Sequence, residues 1–418
     1  MVSLRFPLFL GLSHIGQVYS KCWLKKVGRC AVYDFDKKNL NNFLSNNFTN
    51  EEPSLKKIKN LKKFKIIENN DHIKFFQIIF LTIDTPISSH DGKPDTNLIE
   101  KYYKNLSKIN FLNSVKVILT SQVPVGFTNY LKLKYHNQNI ELIYMVDTLK
   151  MGNAVERFLK PDQLIFGCNN KNKNFIKIFF KKFKCKKYIF THEEAELIKI
   201  AINIYLLFNV SFANIFDEVS RSYNLNFSKL LDTLKNDPRI GRQAYIHPSI
   251  AISGGHLERD YFYLKKANNK SVNKILDNLI IFNKKRKKNL LNKVLELNNK
   301  KKIIKVIIVG ISYKQNSFSL VNSIFYELTK NKKIKVFYYD DFFQLKNDDK
   351  FTQIKKLGKL DYYDCLIYNY SKISTFNNIK KKLNLNKNVK VINISSNFKT
   401  KINKKSYDYF INEQKALI

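Results

Sequence analysis

The chain has 418 residues, enough for two or three domains that each bury a hydrophobic core. Hydrophobic residues make up 44% and aromatic residues 14% of the sequence, which fits a globular protein and excludes a disordered one. The formal net charge of +40 raises nucleic acid or an anionic membrane as partners, but the lysines are spread over the whole chain, so we expect neither partner.

Other compositional features narrow the class of protein further. The densest basic run, Lys284-Lys-Arg-Lys-Lys288, adjoins an amphipathic helical pattern and is expected to form a solvated helix face. The five cysteines form no CxxC pair and no metal-ligand spacing, which predicts reduced thiols, no metal site and a cytoplasmic location. The apolar start, residues 1–10, lacks the features of a secretion signal.

Strand patterns alternate with helical patterns in the first part of the chain. The strand patterns cover Leu8 to Leu10, Cys30 to Tyr33, Ile78 to Ile83, Val115 to Thr120, Leu142 to Val146 and Gln163 to Gly167. Continuous apolar strands between helices predict a parallel sheet that is covered on both faces. Because Pro7 cannot donate to a central ladder, the paired part of the first strand is expected to begin after it.

The middle of the chain is predicted to be helical. The pattern turns helical from Thr191 to about Leu264 and opens on Thr191-His-Glu-Glu194, which has the spacing of a capping box. Its apolar stretch from Ile200 to Phe216 is short for a membrane span and contains several polar residues, so a helix buried at a domain junction is expected. A second helical stretch runs from about Val272 to Leu297.

Strand patterns return in the last part of the chain, at Ile303 to Gly310, Ile334 to Tyr339, Cys365 to Tyr368 and Val389 to Ile394. The fold class is therefore predicted as α/β, with two Rossmann-like parallel-sheet domains joined by a helical central domain. We place the domains at residues 1–188, 189–300 and 301–418.

The first predicted strand ends in a sequence that follows the dinucleotide fingerprint. In Gly11-Leu-Ser-His-Ile-Gly16, Ser13 replaces the middle glycine, which normally lets the backbone approach a pyrophosphate. Asp34 closes the next strand at the spacing of a carboxylate that holds an adenosine ribose, which favours NAD over its 2'-phosphorylated form. The candidate cofactor residues here are Gly11, Ser13, Ile15, Gly16 and Asp34. A tight strand-to-helix turn that needs small residues is the alternative.

The segment Pro248-Ser-Ile-Ala-Ile-Ser-Gly-Gly-His-Leu-Glu-Arg-Asp260 resembles the catalytic loop of the UDP-glucose/GDP-mannose dehydrogenase family. In that family a Gly-Gly pair precedes the nucleophilic cysteine and a Lys-Asp pair follows it. Here Gly254 and Gly255 precede His256, which takes the place of the cysteine, and Asp260 falls on the aspartate. The resemblance therefore implies a divergent member that lacks the catalytic cysteine.

Further segments resemble the family in the same order along nearly the whole chain. Asp84-Thr-Pro86 resembles the Thr-Pro element under the cofactor, which adds Thr85 and Pro86 to the candidates. Ser121-Gln-Val-Pro-Val-Gly126 resembles the element Ser-Thr-Val-Pro-Val-Gly and adds Ser121, with Gln122 in place of a threonine that holds a catalytic water. In Met145-Val-Asp-Thr-Leu-Lys-Met-Gly152, Asp147 keeps the first acid of a substrate motif, and Met151 replaces the second.

The helical segment from Glu193 to Asn203 is the strongest match to the family. Its Lys199 and Asn203 are four residues apart and project from one helical face. The resemblance implies that this pair holds a catalytic water and stabilises oxyanions of the sugar. A pair of snorkelled or mutually paired polar groups on an apolar helix is the alternative.

Two further candidates concern the substrate. Arg239, in Asp237-Pro-Arg-Ile-Gly241, resembles an arginine near the nucleotide sugar, and Lys314, in Gly310-Ile-Ser-Tyr-Lys314, resembles a lysine that helps to hold it. Val321 stands where an arginine is expected shortly afterwards. The resemblance implies a UDP-sugar as the most fitting substrate, NAD as the cofactor, a homodimer formed through the helical middle and a role in polysaccharide biosynthesis.

The missing thiol changes the expected reaction. In the family, two hydride transfers convert an alcohol first to an aldehyde and then, through a cysteine-bound adduct, to an acid. The imidazole of His256 can exchange a proton near neutral pH but is a poor substitute for a thiolate. We therefore expect one hydride step, or a second step through a hydrated aldehyde, with Lys199, His256 and Asp260 as candidates for the base and proton relay.

Alternative interpretations stay open at this stage. His256 is equally well explained as a polar loop residue that fills the vacated space. The protein as a whole could be a divergent dehydrogenase that oxidises a secondary hydroxyl of a nucleotide sugar to a ketone, or a catalytically silent binding module.

Overall fold

The structure is a computed structural model, in which the chain forms two compact units: residues 1–202 with 258–267, and residues 203–257 with 268–418. It describes residues 6–45, 52, 54–55, 64–87, 93–149, 152–225, 227–267, 269–296, 302–311, 320, 323–340, 345, 350–358, 360–369, 379, 381 and 389–394.

An eight-stranded sheet forms the centre of the first unit. Its strands, β1 to β8 in chain order, are Leu8–Leu10, Cys30–Tyr33, Phe64–Ile66, Ile78–Leu81, Val115–Leu119, Ile140–Met145, Gln163–Gly167 and Lys186–Phe190. They lie in the order β3-β2-β1-β4-β5-β6-β7-β8. Neighbouring strands are parallel except β6 and β7, which pair antiparallel, so the sheet is mixed rather than wholly parallel as predicted.

Helices connect these strands and form most of the middle of the chain. Helices α1 to α11 are His14–Lys26, Lys37–Leu44, Asn97–Ser107, Phe127–Lys134, Ala154–Leu159, Lys173–Phe179, His192–Ser222, Leu231–Asn236, His256–Lys265, Lys270–Glu296 and Ile324–Thr329. The predicted capping box begins α7, because the Thr191 N–H donates to the Glu194 carboxylate at 2.8 Å and the Glu194 N–H donates to the Thr191 hydroxyl at 3.3 Å.

The first sheet is buried on both faces, as the continuous apolar strand patterns predict. Side chains of successive residues along a strand point to opposite faces, so Phe9 packs in one hydrophobic cluster while Leu8 and Leu10 pack in another. Strand β1 begins directly after Pro7, as predicted, although the Pro7 carbonyl accepts from the Ala31 N–H at 2.9 Å.

A second sheet, wholly parallel, lies in the second unit. Strands β9 to β13 are Ile304–Val309, Ile334–Tyr339, Phe351–Gln353, Cys365–Tyr368 and Lys390–Asn393, in the order β11-β10-β9-β12-β13. The turn after β9 repeats the turn after β1: the Ile311 N–H donates to Asp340 at 2.9 Å, as the Leu12 N–H donates to Asp34 at 2.7 Å. Both predicted Rossmann-like sheets are thus present.

Three strands were absent from the sequence prediction, namely β3, β8 and β11. Each lies at the edge of its sheet. Edge strands are covered on fewer sides and therefore need no continuous apolar run, and the exposed or half-exposed side chains of Lys186-Lys-Tyr-Ile-Phe190 illustrate this.

The exposure of α7 differs from the buried helix that its apolar composition suggested. Within the described residues, α7 is the helix that is long and apolar enough to span a membrane by length and composition, and 39% of its apolar window is buried. Five of the exposed apolar side chains form a stripe on one face, namely Tyr205, Phe208, Phe212, Phe216 and Val219. A one-sided stripe is typical of a helix that packs against protein.

We predict that Gly16→Ala destabilises the first unit by about 2–4 kcal/mol. A Cβ at residue 16 would lie 1.9 Å from the Gly11 carbonyl oxygen, and neither backbone can move away cheaply. Thermal unfolding of the purified variant measures the effect. Gly358→Ala is the control, because a Cβ there meets nothing within 4 Å. Equal melting temperatures for the two variants would contradict the prediction.

Candidate active site

The glycine-rich turn after β1 brings backbone, helix and strand into close contact. Gly11 has a φ of +95°, and the Thr82 hydroxyl donates to its carbonyl at 2.7 Å. Gly16, in the first turn of α1, lies so close to Gly11 that no side chain fits between them. The N-terminus of α1 is therefore held directly above the end of β1, the position from which Rossmann helices bind phosphates.

Ser13, which replaces the middle glycine of the fingerprint, connects this turn to the segment after β4. Its hydroxyl donates to the Thr82 carbonyl at 3.1 Å and accepts from the Asp84 N–H at 3.1 Å. The Ile15 N–H faces the Asp84 carboxylate at 3.5 Å. A carboxylate thus lies at the first turn of α1, as the positive end of the helix dipole favours, and a pyrophosphate bound there would have to displace it from the Ile15 N–H.

Asp34 is buried at the end of β2 and already accepts several hydrogen bonds. Its carboxylate accepts from the Leu12 N–H at 2.7 Å, from the Asp36 N–H at 2.8 Å and from the Tyr102 hydroxyl. Burial, and then the contact with Asp34, raise the pKa of Tyr102, so this hydroxyl stays a proton donor. Since a carboxylate has about four acceptor positions, about one is left for a ribose hydroxyl.

Thr85 connects the Thr-Pro element to the segment that follows β5. Its hydroxyl donates to the Gln122 carbonyl at 2.6 Å, and the Tyr263 hydroxyl of α9 donates to the same carbonyl at 3.3 Å. The neighbouring Pro86 carbonyl accepts from the Asp95 N–H at 2.9 Å. These bonds fix two of the segments that the family resemblance assigns to the cofactor.

Lys199 lies among charged groups inside the first unit. It is 9% exposed, and burial is the main cause that lowers its pKa below the usual lysine value. The carboxylates of Asp147 and then Asp260 oppose this shift, while Arg259 adds to it. Arg259 in turn pairs with Asp260 at 3.0 Å, and Asp260 is fully buried. The structure therefore brings three predicted site residues, Lys199, Asp147 and Asp260, into one electrostatic environment.

Glu196, one turn before Lys199 on α7, is a buried acid next to the candidate site that the sequence prediction did not single out. Its fully buried carboxylate accepts from the Gly126 N–H at 2.6 Å, from the Thr128 N–H at 2.8 Å and from the Thr128 hydroxyl. Burial raises the pKa of Glu196, and these hydrogen bonds oppose that rise. The available signal was its position in the same helical segment as Lys199.

Several buried polar atoms near the carboxyl end of β5 have no hydrogen-bond partner among the described residues. They are the Ser121 hydroxyl, both side-chain amide atoms of Gln122 and the Tyr144 hydroxyl. Tyr144 lies on β6, opposite Leu119 of β5. Leaving such groups unpaired costs about 1–3 kcal/mol each. A bound molecule with amide and hydroxyl groups would satisfy them, which fits a nicotinamide cofactor and a sugar.

The remaining predicted site residues belong to the second unit or lie beyond the described ranges. Asn203 is buried and lies one turn after Lys199 on α7, and His256 is the first residue of α9. Gly254 and Gly255 have φ values of +96° and +81°, a left-handed backbone that explains why this loop uses a glycine pair.

The two predicted substrate residues are not part of this loop. Arg239 is exposed and pairs with Asp237 at 2.6 Å. Lys314 lies outside the described residues.

None of the five cysteines provides an activated thiol. All five are free, four are buried, and burial raises the pKa of every one, that of Cys22 to about 12. Thiolates, not thiols, are the nucleophiles of cysteine enzymes. None of the five therefore supplies the activated thiol that the family resemblance leads one to expect at position 256.

Relatives with known names share most of the chain. A UDP-glucose 6-dehydrogenase of Campylobacter jejuni is 28% identical over 309 residues, covering 71% of this chain and 75% of the relative. A UDP-glucose 6-dehydrogenase of Rickettsia bellii is 28% identical over 305 residues, covering 70% and 69%.

Solved structures share the fold across nearly the whole length. A UDP-glucose dehydrogenase from Pyrobaculum islandicum superposes with a TM-score of 0.80 at 19% identity, covering 94% of each chain. A UDP-D-ManNAc dehydrogenase from Pyrococcus horikoshii has a TM-score of 0.77 at 18% identity, covering 95% of this chain and 97% of the other.

Two family models match consecutive parts of the sequence. Residues 8–184 match the NAD binding domain of the UDP-glucose/GDP-mannose dehydrogenase family, and residues 193–285 match its central domain. The first match covers the glycine turn and Asp34, and the second covers Lys199 and the loop before α9. With its glycine turn, its buried lysine and its two Rossmann-like sheets, the chain belongs to the UDP-glucose/GDP-mannose dehydrogenase family, whose members are NAD-dependent oxidoreductases.

Proposed function

We propose that the protein oxidises one hydroxyl of a nucleotide sugar, most fittingly a UDP-sugar, in a single hydride transfer to NAD. The observation that carries this proposal is the combination of an intact acid-base environment around Lys199 with the lack of any activated thiol among the five cysteines. Alcohol oxidation needs a base and a hydride acceptor but no covalent adduct. The thioester step of the family does need one.

The cofactor residues that we propose are those of the glycine turn and its neighbours. The first turn of α1, at Ile15 and Gly16, would receive the pyrophosphate, and Asp34 would hold the adenosine ribose. The segments of Thr85, Pro86 and Ser121 would lie along the nicotinamide half. NAD supplies the hydride acceptor. The Asp34 carboxylate disfavours a 2'-phosphate through charge repulsion, which supports NAD over its phosphorylated form.

Lys199 and its acidic neighbours would handle the proton and the developing charge. When the sugar C–H bond breaks and its hydride leaves, the hydroxyl oxygen loses a proton and carries negative charge on the way to the carbonyl. The ammonium of Lys199 would stabilise that oxygen, with Asn203 beside it on the helix, because a buried cation acts strongly in a low dielectric. Asp260 and His256 are the proposed acceptors of the proton, and Asp147 the proposed contact to the sugar.

Counting NADH per sugar tests the proposal and the role of His256 together. We expect the unaltered protein to form one NADH per UDP-sugar consumed, and His256→Cys to form two, because the thiol restores the adduct that the second hydride transfer requires. NADH absorbance over a panel of UDP-, GDP- and TDP-sugars, with product mass, gives both numbers. An acid product gains an oxygen atom, whereas an aldehyde or ketone does not.

His256→Ser is the matched control for this experiment, since serine has the size of cysteine without its nucleophilicity at neutral pH. Two NADH from the serine variant would show that the thiol is not the cause. Two NADH and an acid from the unaltered protein would contradict the single-step proposal.

The lowered pKa of Lys199 predicts the pH dependence of the reaction. Only the charged form stabilises an oxyanion, and burial makes Lys199 lose its proton at a lower pH than an exposed lysine does. We therefore expect kcat to fall as pH rises, beginning below the usual lysine pKa of 10.5. Lys199→Met should lower kcat by about 10²–10³-fold and abolish this alkaline fall. A Lys199→Met variant with the same pH profile would exclude the role.

We also propose that two copies pair through α7. The exposed stripe of Tyr205, Phe208, Phe212, Phe216 and Val219 recurs every three or four residues, which is the spacing of helix packing seams. Pairing would cover this stripe, so α7 would not need a membrane to bury it. We therefore propose that the protein is located in the cytoplasm and has a role in polysaccharide synthesis.

The pairing predicts a particle of about two subunits of 49.3 kDa in light scattering after size exclusion. Phe208→Glu combined with Phe212→Glu should shift the mass to one subunit, because buried carboxylates would oppose each other across the seam. Leu133→Glu is the control: Leu133 is 84% exposed on α4, outside the stripe. A monomeric unaltered protein would contradict the pairing.

A ketone-forming dehydrogenase is the second candidate, favoured by the same lack of an activated thiol. It would also yield one NADH, and proton NMR of the product separates an aldehyde from a ketone. A silent binding module predicts no NADH with any sugar and, given the net charge of +40, salt-sensitive binding to nucleic acid in a filter assay.

A further inference from the structure

The basic run of α10 contains one arginine that is not part of a solvated face. Lys284, Lys285 and Lys288 are exposed as expected, but Lys287 is only 8% exposed and the side chain of Arg286 only 3% exposed. The expectation of a solvated face is therefore wrong at these two positions. Arg286 lies on the same side of the helix as Asn283 and Leu290, which are also buried, and helical periodicity carries it into the interior of the second unit.

The guanidinium of Arg286 has an acceptor for each of its N–H groups. Nε donates to the Ile250 carbonyl at 3.1 Å, and Nη1 donates to the Asn214 carbonyl at 3.0 Å and to Glu218 at 2.9 Å. Nη2 donates to Asp217 at 3.1 Å and to the Ser249 carbonyl at 2.8 Å. A lysine has fewer donors and cannot reproduce this planar set.

Two asparagines bind the same short segment. The side-chain oxygen of Asn214, on α7, accepts from the Ser249 N–H at 2.7 Å. Asn283, on α10, accepts from the Ile252 N–H and donates to the Ile252 carbonyl at 3.3 Å. Together with Arg286, three side chains from two helices bind N–H and carbonyl groups of Ser249, Ile250 and Ile252.

This segment needs such partners because it has no ladder of its own. Residues 237–255 form neither helix nor strand, yet Ala251 and Ile252 are buried. Buried main-chain polar groups have to be hydrogen-bonded, and here side chains supply the bonds. The segment leads directly into Gly254 and Gly255, the loop that ends at His256, so its position decides where α9 begins.

We propose that Arg286, with Asn283 and Asn214, forms a clamp that positions the loop carrying His256. The effect on the reaction rests on the proposed function, but the clamp itself does not. Arg286 acts through the main chain of 249–252 and touches no reacting atom in this proposal, so it is a positioning residue. Arg286 thus serves the loop, unlike the exposed lysines of the same run.

Hydrogen exchange of the full-length protein, read by mass spectrometry, tests the clamp without any substrate. In Arg286→Lys and in Asn283→Ala, we expect peptides covering 248–257 to exchange at least about tenfold faster, while peptides from the first sheet keep their rates. Lys285→Gln and Lys288→Gln remove exposed charges from the same run and should leave all rates unchanged. If Arg286→Lys fails to fold, Asn283→Ala carries the test. Unaltered exchange at 248–257 in a folded variant would overturn the proposal.

Kinetics then separates loop positioning from general destabilisation. We expect kcat of the Arg286→Lys enzyme to fall at least about tenfold while KM for NAD stays within about twofold, and we expect added guanidinium ion to restore part of the rate of Arg286→Ala. Equal loss in both parameters with no rescue would overturn the positioning role. If no nucleotide sugar is oxidised by the unaltered protein, the proposed function fails, and the exchange experiment still decides on the clamp.

Discussion

The desolvation of charged side chains is the constraint on which this structure depends. Taking an ion out of water is costly unless other groups replace its hydration. Glu196 regains it from the N–H groups of Gly126 and Thr128, Asp260 pairs with Arg259, and Arg286 binds carboxylates and carbonyls. Each of these bonds also fixes a segment that the family resemblance assigns to the site. The bonds that offset the cost of burial therefore also fix the segments that they contact.

The burial of Lys199 follows the same rule and changes its acid-base chemistry. Burial lowers the pKa of Lys199, and the neighbouring carboxylates of Asp147 and Asp260 offset part of this shift. A cation in this situation acts strongly on any charge that develops beside it. This environment fits the proposed oxidation of a hydroxyl group. In the proposed function, His256 at the position of the family's nucleophile removes the covalent step and leaves the acid-base groups in place.

Much of the fold could be predicted from the sequence, because the patterns are local. The central strands of both sheets lie close to their predicted positions, since strands buried on both faces must be apolar throughout. The capping box at the start of α7 could also be predicted, because its residues are close together in the sequence. The edge strands β3, β8 and β11 were missed because partial exposure removes the apolar pattern, and the antiparallel pairing of β6 and β7 has no local signature. The assignments of Lys199, Asn203, His256 and Asp260 stay predictions, while membership of the family is confirmed.

By itself the sequence determined the family and the two Rossmann-like sheets, since these depend on residue type, order and spacing along the chain, and it predicted the absence of a thiol at position 256 of the catalytic loop. Only the tertiary structure showed that Arg286 is buried and binds the carbonyl groups of Ser249 and Ile250. It also showed that the Glu196 carboxylate binds the N–H group of Gly126. The physical reason is that the sequence of a charged segment does not show whether a given side chain is solvated or buried. What differs is the set of partners, and for Glu196 and Arg286 these partners are up to 72 residues away along the chain.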